Sequence, residues 1–203
     1  MSPRVPVSLG EALGVLRSFG IELNDGVEVS DVTSQVGGER ELLERFSGWK
    51  HPAASAYANV LIELGSRHRR TSLSHDVVNY DFEIDGDWGE YANYLREFVR
   101  LARAEAEDVT VSERPERNGR PRSVSVTFEV KGGRHDWLLP QASVNDSPDF
   151  IPRLSALLRL LDPSRVLVGV GDSFVLLSPE RVALFREATG LGLWIARPYE
   201  SAA

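Results

Sequence analysis

The chain has no cysteine among its 203 residues, which excludes disulfides, zinc-thiolate sites, iron–sulfur clusters and cysteine nucleophiles and leaves packing to hold the fold. Lysine stands only at positions 50 and 131, so the basic side chains are nearly all arginine. No apolar run approaches the roughly 20 residues that a membrane-crossing helix needs. The opening "MSPRVPVSLGEALGVL" has neither the continuous apolar core nor the small-residue cleavage site of a signal peptide. These absences lead us to expect a cytoplasmic protein with no membrane partner. Walker loops and dinucleotide fingerprints are missing too, so no cofactor is expected. A net charge of −7 and a pI near 5.2 disfavour nucleic acid and suit a basic protein partner.

What is present reads as helices followed by an antiparallel sheet. Ser8 and Glu11 have capping-box spacing ahead of Leu9, Ala12, Leu13, Leu16 and Phe19 on one helical face, and Gly20 can close the end. A short second helix is expected to turn Leu42, Leu43 and Phe46 inward, and a third to run over 54–64 to Gly65. "GSRHRRTSLSHD" reads as an exposed polar loop. From 77 to 84 the period becomes two, with Val78, Tyr80, Phe82 and Ile84 on one face and Val77, Asn79, Asp81 and Glu83 on the other, the mark of a half-buried strand. "DG" at 85 and 86 is turn chemistry, and Asp87 with Glu90 repeats the capping-box spacing before a stripe of Tyr91, Tyr94, Leu95, Phe98 and Leu101.

Strands are expected at 109–113, at 123–130 with Val124, Val126, Phe128 and Val130 on one face, and beyond a "KGGR" turn through His135 to Leu139. A helix begins near Ser147 and Pro148, an apolar hairpin folds around Gly171 and Asp172, and "SPERVALFREATG" is a helix stopped by Gly190 before a last strand, "LWIA". Without regular βαβ alternation the class is α+β, an antiparallel sheet packed with helices and preceded by an N-terminal helical segment. One domain over 1–203 is expected, helical over 1–70, with a body at 77–196 and a flexible tail at 197–203.

Chemistry concentrates in "NYDFEIDGDWGEY", where Asp81, Glu83, Asp85, Asp87 and Glu90 stand without a basic residue. An EF-hand alignment fails because the twelfth position, which supplies the bidentate carboxylate, is Ala92. Asp81 and Glu83 share a strand face on the order of 7 Å apart, which permits acid/base work in a cleft but needs desolvation that an alternating strand rarely gives. "GDS" at 171–173 looks like the serine block of GDSL-type hydrolases over three residues only, no histidine follows His135, and a hairpin turn explains it better. Histidines 51, 68, 75 and 135 have no metal-ligand spacing. No catalytic, cofactor or metal residue is therefore assigned. Residues 114–122 carry Arg114, Arg117, Arg120 and Arg122 against Glu116 without interleaved aromatics, a weak nucleic-acid signal.

The stretch "YDFEIDGDWGEYANYLREFVRLA" resembles a segment of an uncharacterised family of small bacterial proteins. The family's pattern is filled by Tyr80, Asp81, Glu83, Asp87, Gly89, Glu90 and Tyr91, and the match extends more loosely over residues 77–193 through "VTFEVKGGRHDWLL", "DSPDFIPRLSALL" and "FVLLSPERVALFREATGL". That resemblance implies an immunity-type protein of a bacterial toxin system and carries no catalytic residues. The functional expectation is a non-enzymatic protein that binds a basic partner, such as a toxin domain, through Asp81, Glu83 and Asp85 with Trp88 as the aromatic anchor. The alternative is a hydrolase or metal-dependent enzyme using the carboxylates of 81–90.

Overall fold

The computed structural model describes residues 3–34, 36–45, 51–68, 71–80, 89–114, 122–140 and 147–199. The class is α+β, as expected, and the strands pair antiparallel throughout the described residues. Contacts divide the chain into two compact units, Met1–Asn79 with Ser164–Ile195, and Tyr80–Pro163 with Ala196–Ala203. These units do not follow the expected split at 70/77, because the N-terminal helices share a unit with the C-terminal strands.

In the first unit, α1 (Leu9–Ser18) buries Leu9, Ala12, Leu13 and Leu16. Ser8 Oγ accepts from Glu11 N at 3.1 Å, but Glu11 returns its carboxylate to Val7 N at 2.7 Å, one residue before the expected cap. Gly20, at φ 82°, closes the helix in a Schellman arrangement: Gly20 N–H bonds Arg17 O and Ile21 N–H bonds Leu16 O. A helical turn that the sequence pattern had not shown, α2 (Val29–Thr33), precedes α3 (Glu39–Glu44), which buries Leu42. Phe46, the third residue of that expected inward face, lies outside the described residues.

The centre of this unit is α4 (Pro52–Gly65), in which every residue but Pro52 and Ile62 is buried. A helix apolar nearly all round belongs in a core. It packs against a four-stranded sheet of order β3-β8-β7-β9, formed by β3 (Val77–Asn79), β7 (Val166–Val170), β8 (Ser173–Leu177) and β9 (Trp194–Ile195). The β7–β8 hairpin turns at Gly171 (φ 56°) and Asp172, as expected. α7 (Pro179–Thr189) starts with proline in its first turn and stops at Gly190 in the left-handed region. The stretch expected as an exposed loop is different: a two-residue ribbon, β1 (Arg67–His68) with β2 (Thr71–Ser72), leads into Leu73, Ser74 and Asp76, all buried.

The second unit pairs β4 (Ala106–Arg114), β5 (Ser123–Val130) and β6 (Gly133–Pro140) in that order. Val124, Val126, Phe128 and Val130 are buried and alternate with half-exposed Ser123, Ser125, Thr127 and Glu129, the pattern read from the sequence. Lys131 and Gly132, at φ 49° and 74°, make the tight hairpin turn. Helix α5 (Glu90–Leu101) contributes buried Tyr91, Leu95, Phe98, Val99 and Leu101. α6 (Phe150–Leu161) begins after a turn at Pro148 and Asp149 rather than at Ser147. The expected tail is held at its start: Ser155 Oγ donates to Ala196 O at 2.8 Å, Tyr199 N donates to Pro152 O at 2.9 Å, and the Arg153 guanidinium lies 4.1 Å from the Tyr199 ring centre. Among the described residues no helix is long and apolar enough to cross a membrane.

Candidate functional site

The four residues expected to meet a partner, Asp81, Glu83, Asp85 and Trp88, lie outside the described residues, as does Asp87. Both ends of their segment are described. Asp76, the last residue of the stretch expected as an exposed polar loop, is buried: its Oδ2 accepts from Glu22 N at 3.1 Å and its own N–H donates to Ser74 Oγ. Glu90 is the first residue of α5, following Gly89, and Asp87, the expected cap, lies outside the described residues. A carboxylate in a first helical turn is favoured by the exposed N–H groups there.

On the N-terminal side the chain is fixed by Asn79. The expectation of a half-buried strand is corrected here, since Val77 and Val78 are both fully buried and Asn79 faces protein. Its Nδ2 donates to Ile62 O at 2.7 Å, and its Oδ1 accepts from Ser173 Oγ at 2.9 Å. Gly65 makes this possible. A Cβ at position 65 would stand 2.5 Å from Asn79 Oδ1, so the glycine read as a helix stop is required for close approach. Ser173, the serine of "GDS", is fully buried and its hydroxyl is committed to that amide.

On the C-terminal side the fixing is aromatic. Tyr80 is fully buried, its ring 4.5 Å from Tyr94, 5.9 Å from Phe98 and 5.8 Å from Phe150. Tyr91 packs on Phe150 as well, edge to face at 4.7 Å, and its hydroxyl accepts from Ser147 N at 2.9 Å. Tyr80 and Tyr91 thus bracket the acidic segment and both touch one ring. Trp137 and Phe128 continue the cluster, with His135 stacked on Phe128 at 4.9 Å. Aromatic pairs of this geometry add roughly 0.5–1.5 kcal/mol each beyond their buried area.

Other candidate chemistry finds structural employment. Arg122, just before β5, is paired with Glu113 of β4, Arg114 ends β4 in solvent, and Arg117 and Arg120 lie outside the described residues. His51 and His75 are exposed. Among the described residues no group of three or more histidine or acidic side chains is arranged to hold a metal ion. Asn79, Ser173, Phe150 and Ser147 were not read from the sequence as anchors of this segment, Ser147 being taken as a helix start and Ser173 as part of a hairpin turn. A polar side chain in an otherwise apolar strand was the available signal for Asn79, whereas its partners come from chain positions as distant as 62 and 173. No protein-family model, curated protein or solved structure matches this chain.

Proposed function

We propose that the chain is a non-enzymatic binding protein, an immunity-type factor that works in the cytoplasm and covers a basic domain of a toxin with the acidic segment 81–90. The observation that carries this reading is the bracketing: five carboxylates without a counter-charge stand in the sequence between Tyr80 and Tyr91, both fully buried and both packed on Phe150. Fixing both ends of a charged segment lowers the conformational entropy lost on docking. Opposed surface potentials then raise the association rate and select the partner, with an aromatic residue supplying much of the affinity. Asp81, Glu83 and Asp85 are the recognising charges and Trp88 the anchor. The absence of cysteine agrees with a reducing compartment, and the net charge of −7 argues against nucleic acid.

The test is stopped-flow association with basic toxin domains, beginning with any encoded next to this chain's gene. Asp81→Lys combined with Glu83→Lys is expected to slow association by about tenfold or more at low ionic strength, with the difference shrinking as salt is added. The melting temperature stays unchanged. Association at the unaltered rate, or the loss of the fold, overturns the reading.

A further inference from the structure

Helix α3 is held to the first unit by little apolar surface. Leu42 is its one buried residue and Leu43 is only partly buried against the same core, whereas α1 buries four side chains. Directly ahead of α3 stand Gly37 and Gly38, at φ 72° and 141°, backbone conformations that residues with a side chain rarely adopt.

The side of α4 that meets α3 is polar. Ser55, Asn59 and Glu63 follow one another at four-residue intervals, so they line one side of a helix that is otherwise nearly all apolar, and all three are buried. Two of them tie α3 down: Asn59 Nδ2 donates to Leu42 O at 2.9 Å, and Glu63 Oε1 meets Arg45 Nη1 at 2.8 Å. A third tie comes from α1, where Leu9 N donates to Glu39 Oε1 at 2.7 Å. Carried one turn back on both helices, the Leu42–Asn59 register sets Gly38 beside Ser55.

This stripe is not fully paired while α3 lies on it. Among the described residues Ser55 Oγ and Asn59 Oδ1 are buried without a hydrogen-bond partner. A permanent cover favours apolar side chains beneath it, because a buried oxygen with no donor forfeits the bonds that water gives it. Raising α3 restores those bonds and returns few apolar side chains to water. The closed and raised positions are thereby brought close in free energy, the condition for a local opening short of unfolding the unit.

We propose that α3 is a lid: it lifts from α4 about Gly37 and Gly38 while the rest of the unit stays folded, is latched by Arg45 on Glu63, and when raised bares a row of hydroxyl, amide and carboxylate groups.

Because the chain has no cysteine, single introduced thiols report the motion. Ser55→Cys puts one under the lid. Val175→Cys puts one in β8, where the side chain is fully buried and is reached only when the whole unit opens. S55C is expected to react with a small thiol reagent at least about tenfold faster than V175C. Adding Arg45→Ala releases the latch and speeds S55C labelling by about fivefold or more, with V175C labelling unchanged. In the unmodified chain the Leu42 amide, bonded to Gly38 O, is expected to exchange with solvent at a rate that low urea barely alters, since lifting α3 exposes little surface, while exchange at Val175 accelerates. Equal labelling of the two thiols, an R45A effect on both alike or on neither, or a Leu42 amide that exchanges in step with Val175 overturns the proposal.

Discussion

The β7–β8 hairpin of the first unit and the β5–β6 hairpin of the second are built alike, antiparallel and closed by two-residue turns, yet their interiors differ. β8 is buried at every position and β7 at all but its first residue, whereas β5 alternates strictly and β6 keeps only Trp137 and Leu139 buried. A sheet covered on one face can leave its serines and threonines to water. One buried on both faces has to pair them internally, since an unpaired buried hydroxyl costs about 1–3 kcal/mol. The same residue type therefore carries different weight: Ser125 lines an outer face, while the buried Ser173 hydroxyl donates a hydrogen bond to Asn79 Oδ1.

The largest expected effect lies in the one-sided sheet, whose cover depends on few large rings. Phe150→Ala removes the ring on which Tyr80, Tyr91 and Trp137 converge and is expected to cost about 3–5 kcal/mol in urea unfolding. A loss below about 1 kcal/mol would show that the cluster re-forms without it. Next comes Gly65→Ala, whose added Cβ would press on Asn79 at 2.5 Å from Oδ1 and 3.1 Å from the backbone N. We expect about 1–3 kcal/mol lost to overpacking.

Asn79→Ala leaves the fully buried Ser173 hydroxyl without its acceptor, and about 1–3 kcal/mol should go. Replacing both residues with alanine should recover part of that loss, because no orphaned hydroxyl remains. If the two losses simply add, the hydrogen bond is not what couples them.

Two smaller effects sharpen the contrast. Tyr57 is buried on α4, and burial, then the nearby Glu11 carboxylate, raises its hydroxyl above the ordinary value of 10.0. Above pH 10 the unfolded chain gives up this proton while the folded chain keeps it. Stability from this group is complete below pH 10 and declines as pH rises toward the folded pKa. Tyr57→Phe is expected to flatten that alkaline decline in melts collected between pH 8 and 11. Ser125→Ala, on the outer face of β5, should change stability by no more than about 0.5 kcal/mol.

The comparison also explains what could be read from the chain alone. Alternation over 123–130 names its own faces, and the α+β class, the Lys131–Gly132 turn, the Gly171–Asp172 turn and the Gly190 stop follow from local chemistry. Where burial is two-sided, the local signal fails. Val77 and Asn79 read as the solvent side of a strand, and Asp76 as a surface charge, because their partners at Ile62, Ser173 and Glu22 are distant in sequence. Gly65 was legible as an end of α4 but not as a space kept for an amide. The helix expected from Ser147 starts at Phe150, since Ser147 carries capping chemistry that the observed boundary does not use, while Asp87 lies outside the described residues. For the proposed partner-binding segment, the sequence supplies the charges and the described structure supplies only the residues at its two ends.

The order in which the units take their residues bears on how the chain leaves the ribosome. Residues 80–163 of the second unit emerge as one uninterrupted stretch, and its sheet and both helices can close as soon as they are made. The first unit cannot. Its opening helices must wait for β7, β8, α7 and β9, encoded at 164–195, so α4, apolar nearly all round, spends most of synthesis without the sheet that shields it. Most of the second unit is thus made before the first unit receives its last strands, and the interval before position 195 is made is when a chaperone would have most to hold.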